Sequence, residues 1–199
     1  MTAAARLISI IGAVGAGKTT LAELLSRQLD AVCIREDYAK NPFLAESYMG
    51  NSELDLPSQL YFLTSRATQL NLTGWPESGL YVSDYGFSQD RIFAEWKLRG
   101  HDLETYDFIA GKMARFVKQP DFMIHLDVDV EVLYNRIAAR GRNYESVFTR
   151  EFLEYLRQKQ FDIEVPENCG FLRLDATAGD FRKPQVLAGI VDVIRAYRG

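Results

Sequence analysis

The chain has 199 residues, enough for one domain with a sizeable core. Hydrophobic residues make up 47% and charged residues 25%, which excludes a disordered chain. The net charge is -4 and the pI about 5.3, which argues against a nucleic-acid polymer as the main partner, because phosphate backbones demand basic surfaces.

Along the chain, short apolar runs alternate with helical patterns. Residues 7–11 (LISII) read as a buried strand, and residues 19–29 as a helix with Leu21, Leu24, Leu25 and Leu29 on one face. Further strands are predicted at 31–34, 80–83, 122–128 and 171–174, and further helices at 57–70, 90–99, 103–118, 130–140 and 150–161. Strands separated by helices pair in parallel through crossovers. The expected fold is a three-layer α/β domain over residues 1–199 with a central five-stranded parallel sheet. Ligands in such folds bind beyond the carboxyl ends of the strands, so the residues just after each strand matter most.

Between the first strand and the first helix lies Gly12-Ala13-Val14-Gly15-Ala16-Gly17-Lys18-Thr19, with Thr20 following. This is GxxxxGKT in the strand–loop–helix setting that the motif needs. Glycine permits backbone conformations that turn successive N–H groups toward a phosphate, and the helix N-terminus adds partial positive charge. Lys18 can reach β- and γ-phosphates, and the Thr19 hydroxyl can ligate Mg²⁺. The loop identifies a nucleoside triphosphate donor, ATP by expectation, and leaves the acceptor open. No NKxD-type guanine motif is present, and the length disfavours a motor ATPase. A small kinase and a nucleotide-gated binding protein remain.

Arg35-Glu36-Asp37 ends the second strand, which puts a carboxylate near the phosphate loop, where an acceptor hydroxyl needs a base. The third strand ends in Ser83-Asp84, and Asp84 is expected on the Mg²⁺ side. Arg136 and Arg140 share a helical face and Arg142 follows, three guanidiniums suited to charge on a transferring phosphoryl group. Gln59 and Arg66 share another face, where an amide and a guanidinium could read a base edge. Tyr48, Tyr61, Phe62 and Phe87 could stack on that base. Cys33 and Cys169 form no CxxC pair and stand near no histidine at ligand spacing, so reduced thiols are expected. Residues 1–6 lack the pattern of a signal peptide, and no apolar run approaches the ~20 residues of a membrane span. A cytoplasmic enzyme with no membrane partner is the expectation.

From about residue 8 to 181 the sequence resembles the deoxynucleoside kinases, particularly the bacterial type. After the phosphate loop, Arg35-Glu36-Asp37 with Asn41-Pro42-Phe43-Leu44 looks like the segment carrying the family's catalytic base, at Glu36. Tyr48 matches the tyrosine that holds the sugar 3′-hydroxyl, and Gln59, within Pro57-Ser58-Gln59-Leu60-Tyr61-Phe62-Leu63, the glutamine that bonds the nucleobase. The run from Arg136 through Arg140, Gly141, Arg142, Asn143 and Tyr144 to Glu145 is similar to the family's lid (about 136–148), with Glu145 near the 3′-hydroxyl. The stretch ending in Gly179-Asp180-Phe181 resembles the loop beside the donor adenine. One departure is clear: Asp84-Tyr85-Gly86 stands where the family has an acid-Arg-Ser triplet, whose arginine steadies the base carboxylate. Tyr85 is expected to orient Glu36 or the 5′-oxygen, with Arg91 as a cation that could take over.

The resemblance implies a homodimeric 5′-kinase using ATP and Mg²⁺. It also implies that the Arg66/Asp90 pair favours purine deoxynucleosides or deoxycytidine over thymidine. A nucleoside monophosphate kinase and a degenerate nucleotide-binding module are the alternatives.

Overall fold

A computed structural model describes residues 4–197; the ends of the expected domain, and the start of the segment read for a signal peptide, lie outside the described residues. Five strands form one sheet: β1 (Arg6–Gly12), β2 (Val32–Ile34), β3 (Leu80–Ser83), β4 (Phe122–Asp127) and β5 (Gly170–Asp175). Their order is β2-β3-β1-β4-β5 and every pairing is parallel. The helices are α1 (Lys18–Leu29), α2 (Leu44–Tyr48), α3 (Asp55–Gln69), α4 (Asp90–Lys97), α5 (Gly100–Met113), α6 (Val130–Arg140), α7 (Arg150–Phe161) and α8 (Pro184–Ala196).

β1 is central and buried from Leu7 through Gly12. A strand buried on both alternating faces must be covered on both, which explains its unbroken apolar run. α1 packs on β1, β2, β3 and α8, whereas α7 packs on β1 and α4, and α4 meets α3 and α5. Leu21 and Leu25 of α1, Ile190 and Ile194 of α8, and Phe152 and Leu156 of α7 join the same large core as Ile8, Ile10 and Ile124. The chain order puts the sheet's switch point at the carboxyl end of β1, where the phosphate loop begins.

The strands and most helices fall where the apolar pattern predicts them, with shifts at the ends. α3 begins two residues before Pro57, because proline in a first turn lacks only an N–H that would be unpaired anyway. The predicted helix 103–118 begins at Gly100 instead and ends at Met113, followed by a single 3₁₀ turn, Ala114–Phe116. α2 and α8 were not predicted. Leu187, Ile190, Val191 and Ile194 carry a helical period, so α8 was readable. α2 has only five residues and no period to read.

Candidate active site

The loop after β1 holds Gly15 and Gly17 at φ 84° and 97°, left-handed conformations that glycine adopts without strain. Gly12 is fixed by packing as well: a Cβ there would lie 2.7 Å from the Leu126 carbonyl oxygen. The Lys18 ammonium donates to the carbonyls of Gly12 and Ala13, at 2.9 and 3.0 Å, which holds it across the loop. Burial lowers the Lys18 pKa, while Glu36 and Asp84 favour its charge. Phe181 packs beside Gly17, and Asp180 accepts from Arg182, so the loop after β5 closes this end of the cleft.

Asp84 ties the two halves of the site together. One carboxylate oxygen accepts from the Thr19 hydroxyl at 2.5 Å, and the other from the backbone N–H of Glu36 at 2.8 Å. A hydroxyl and a carboxylate side by side next to a glycine-rich loop suit a hard divalent cation held jointly with phosphate oxygens. Residues Val14 to Thr20 line the same cavity as these groups, so the chain's donor set fits a triphosphate and its Mg²⁺.

The cavity has a volume of about 460 Å³. Glu36, Tyr48, Gln59, Arg66, Asp90, Arg136, Arg140, Arg142 and Glu145 all line it, although they come from six parts of the chain. Glu36 accepts from the Arg66 guanidinium, whose Nε lies 2.9 Å from Oε1 and whose Nη2 reaches the same oxygen. Arg66 also bonds Asp90, and the other Asp90 oxygen accepts from Tyr106 at 2.7 Å. Burial opposes the charge on Arg66, but Asp90 and Glu36 outweigh it and raise its pKa. Gln59 is 1% exposed and its Oε1 has no partner among the described residues, an arrangement that a bound donor would relieve.

The Tyr48 ring sits among Phe148, Phe152 and Tyr144, with Lys97 at 4.9 Å from its centroid. Burial raises its pKa, so the hydroxyl stays a donor. Lys97 pairs with Asp55 at 2.9 Å and donates to the Ser47 carbonyl, which anchors α2. Gly141 ends α6 in a left-handed cap, and a 3₁₀ segment, Asn143–Val147, follows. There Glu145 accepts from Arg140 at 2.5 and 2.9 Å and from Arg142 at 3.2 Å. Arg136 donates to the Ala176 carbonyl at 3.0 Å.

Several sequence expectations are corrected. Tyr85 does not line the cavity: it is fully buried, and its hydroxyl donates to Gln69 at 2.6 Å rather than to Glu36. Its companion change has a packing reason, since a Cβ on Gly86 would lie 2.7 Å from Ile11. Arg91 points outward to Asp107 and Glu95, so it does not take over. Tyr61 and Phe87 are not in the lining either. Tyr61 follows Gln59 by two positions and so lies on a different face of α3, while Phe87 packs beside Leu63, Leu70 and Tyr85. Phe93, Tyr38 and Gln89 line the cavity and were missed. Gln89 is 1% exposed with an unpartnered Oε1; a single glutamine carries no sequence signal.

A family model described as deoxynucleoside kinase matches residues 8–185. The chain belongs to the deoxynucleoside kinase family. It is 34% identical to the deoxyguanosine kinase of Bacillus subtilis (strain 168) over 186 residues, 89% of each protein. It is 30% identical to the deoxyadenosine kinase of Dictyostelium discoideum over 191 residues, 92% of this chain and 77% of the relative. A deoxyadenosine kinase from M. mycoides with bound dATP superposes with a TM-score of 0.79 at 25% identity, over 94% of this chain and 99% of the other. As a member of that family the chain is a phosphotransferase. Among the described residues no helix is long and apolar enough to cross a membrane.

Proposed function

We propose that the chain transfers the γ-phosphate of ATP to the 5′-hydroxyl of a purine deoxynucleoside or deoxycytidine. The observation that carries this reading is the single cavity in which a phosphate loop, a carboxylate at a strand end and a buried amide with an unpartnered oxygen converge. ATP would lie with its phosphates along residues 14–20, and the Thr19 hydroxyl and Asp84, which share the cavity, would hold Mg²⁺. That ion supplies charge neutralisation on the phosphates when bound.

Glu36 orients the 5′-hydroxyl and takes its proton as the oxygen attacks the γ-phosphorus. The new O–P bond forms while the bridging bond to the β-phosphate breaks, so the products are the 5′-monophosphate and ADP. Lys18, Arg136, Arg140 and Arg142 surround the transferring group with positive charge. Glu145 holds Arg140 and Arg142 together, and with Tyr48 it faces the sugar. Closing the lid also keeps out water that would hydrolyse ATP.

At the far end, Gln59 and the Arg66–Asp90 pair meet the base edge. A carboxylate and an amide oxygen need donors, which an exocyclic amine provides and thymine's O4 does not. The named substrates of the relatives, deoxyguanosine and deoxyadenosine, agree with that preference. A homodimer in the cytoplasm completes the reading; exposed Phe108 and Phe116 offer apolar surface for association. Light scattering on the purified protein tests the dimer. A panel of deoxynucleosides and their monophosphates with labelled ATP tests the activity. Transfer to monophosphates alone would overturn the acceptor, and ATP binding without transfer to any compound would overturn the reaction.

A further inference from the structure

A carboxylate that accepts a proton from a substrate must be held in one place. Three side chains that could hold Glu36 are engaged elsewhere. Arg35 turns away to Glu23, at 3.3 Å, because successive side chains alternate along an extended strand end. Lys18 is committed to the carbonyls of Gly12 and Ala13. Tyr85 directs its hydroxyl to Gln69.

One cation remains. Among the described residues Arg66 is the only side chain hydrogen-bonded to the Glu36 carboxylate, and it is 4% exposed. It approaches with two N–H groups, Nε and Nη2, converging on Oε1, while its third arm, Nη1, grips Asp90. The rings of Phe62 and Tyr85 lie 5.3 and 5.6 Å from the guanidinium carbon and restrict its plane. We infer that Arg66 is the positioning residue of Glu36, and that through this one guanidinium the base-facing Asp90 and the proton-accepting Glu36 are mechanically joined. The inference rests on the kinase reading above and deepens it.

The physical case is one of geometry. A guanidinium is a planar fork with five donors, so it can bind two carboxylates at once in fixed directions. A lysine carries the same charge on a flexible stem and cannot divide itself between two anions with the same precision. Among the described residues Oε2 of Glu36 meets no hydrogen-bond donor, which leaves that oxygen to take the proton of a 5′-hydroxyl while Oε1 stays clamped. A base that engages Asp90 pulls on the same guanidinium. Base identity therefore reaches kcat and not only KM.

Steady-state kinetics on wild type, Arg66→Lys, Glu36→Gln and the double variant test the inference. Arg66→Lys should lower kcat at least about tenfold with every deoxynucleoside that the wild type accepts, the size of one contact made mainly in the transition state. In the Glu36→Gln background the same change should cost less than about twofold, because its target carboxylate is gone. A change in KM alone, or an undiminished kcat loss in the Glu36→Gln background, would overturn it, since a base reader or a packing residue gives those outcomes. Should Arg66→Lys fail to fold, the intact arginine still reports. In nitrogen-15 spectra the Arg66 Nε–H should be protected from exchange in wild type and lose that protection in Glu36→Gln. Protection retained in Glu36→Gln would equally overturn the inference. A wild type that phosphorylates no deoxynucleoside would defeat the kinase reading and leave the Nε–H measurement to judge the contact.

Discussion

The donor half and the acceptor half of the cleft are built by different means. The donor half is local: eight consecutive residues, 12–19, supply glycine conformations, amides, an ammonium and a hydroxyl. Its shape is set by the loop's own backbone, with Leu126 of β4 and Ile137 of α6 closing on two of its glycines. The acceptor half is assembled from side chains. Glu36 follows β2, Tyr48 ends α2, Gln59 and Arg66 lie on α3, Gln89 and Asp90 follow β3, and Glu145 lies beyond α6. Each is placed by tertiary contacts such as Lys97 to Asp55 and Asn41 to the Ser58 carbonyl at 3.1 Å. The lesson is that the phosphate-binding features are written in one segment, whereas the carboxylate, amide and guanidinium groups of the rest of the cleft are distributed along the chain.

This contrast can be broken most forcefully at Glu36, where the halves meet through Asp84. Glu36→Gln keeps the shape and removes the basic carboxylate. We expect kcat to fall by about 10²–10⁴-fold with ATP affinity unchanged, measured by initial rates and by nucleotide titration. More than about a third of wild-type kcat surviving would show that Glu36 is not the base.

Next in size is base discrimination, a property of the acceptor half alone. The best purine deoxynucleoside or deoxycytidine should exceed thymidine in kcat/KM by at least about tenfold, and Gln59→Leu should reduce the lead by a similar factor. A thymidine value highest of all would refute the assignment of Gln59, Arg66 and Asp90 to the base.

A donor-side change should be blind to the base. Gly15 sits at φ 84°, and a Cβ would lie 3.0 Å from Ile137 Cγ1. Gly15→Ala should weaken ATP binding about tenfold and destabilise the fold by about 1–2 kcal/mol, read by titration and thermal unfolding. The loss should be equal for every acceptor. A loss that varied with the base would erase the division between the halves.

The smallest effect is expected at Tyr85. Its hydroxyl serves Gln69, so Tyr85→Phe should change kcat and KM by less than about twofold while lowering stability by about 1 kcal/mol. A tenfold fall in kcat would mean that the hydroxyl reaches the reaction after all.

Much of this was legible beforehand. Parallel strands buried on both faces read as apolar runs, and β1 and β4 were located to within a few residues for that reason, whereas the edge strand β5 alternates exposed and half-buried positions. The phosphate loop is contiguous, so its glycines and Lys18 were found together. Residues at helical spacing, Gln59 with Arg66 and Arg136 with Arg140, were correctly read as sharing faces, since that follows from the helix repeat. What escaped was whatever depends on contact between elements. Gln89 has no pattern, and Tyr61 and Phe87 looked as suited to a base as Phe62 until packing turned them elsewhere.

By itself, then, the sequence determined the succession of the strands and of most helices, the phosphate loop and the set of charged residues at the strand ends, because those follow from rules spanning only a few residues. Only the tertiary structure decided which cation meets Glu36. Arg66 stands 30 residues further along the chain, on a helix whose rotation is set by its packing on α4 and α5. A salt bridge across that separation is fixed by the three-dimensional placement of both elements, and nothing in the local order of residues encodes it.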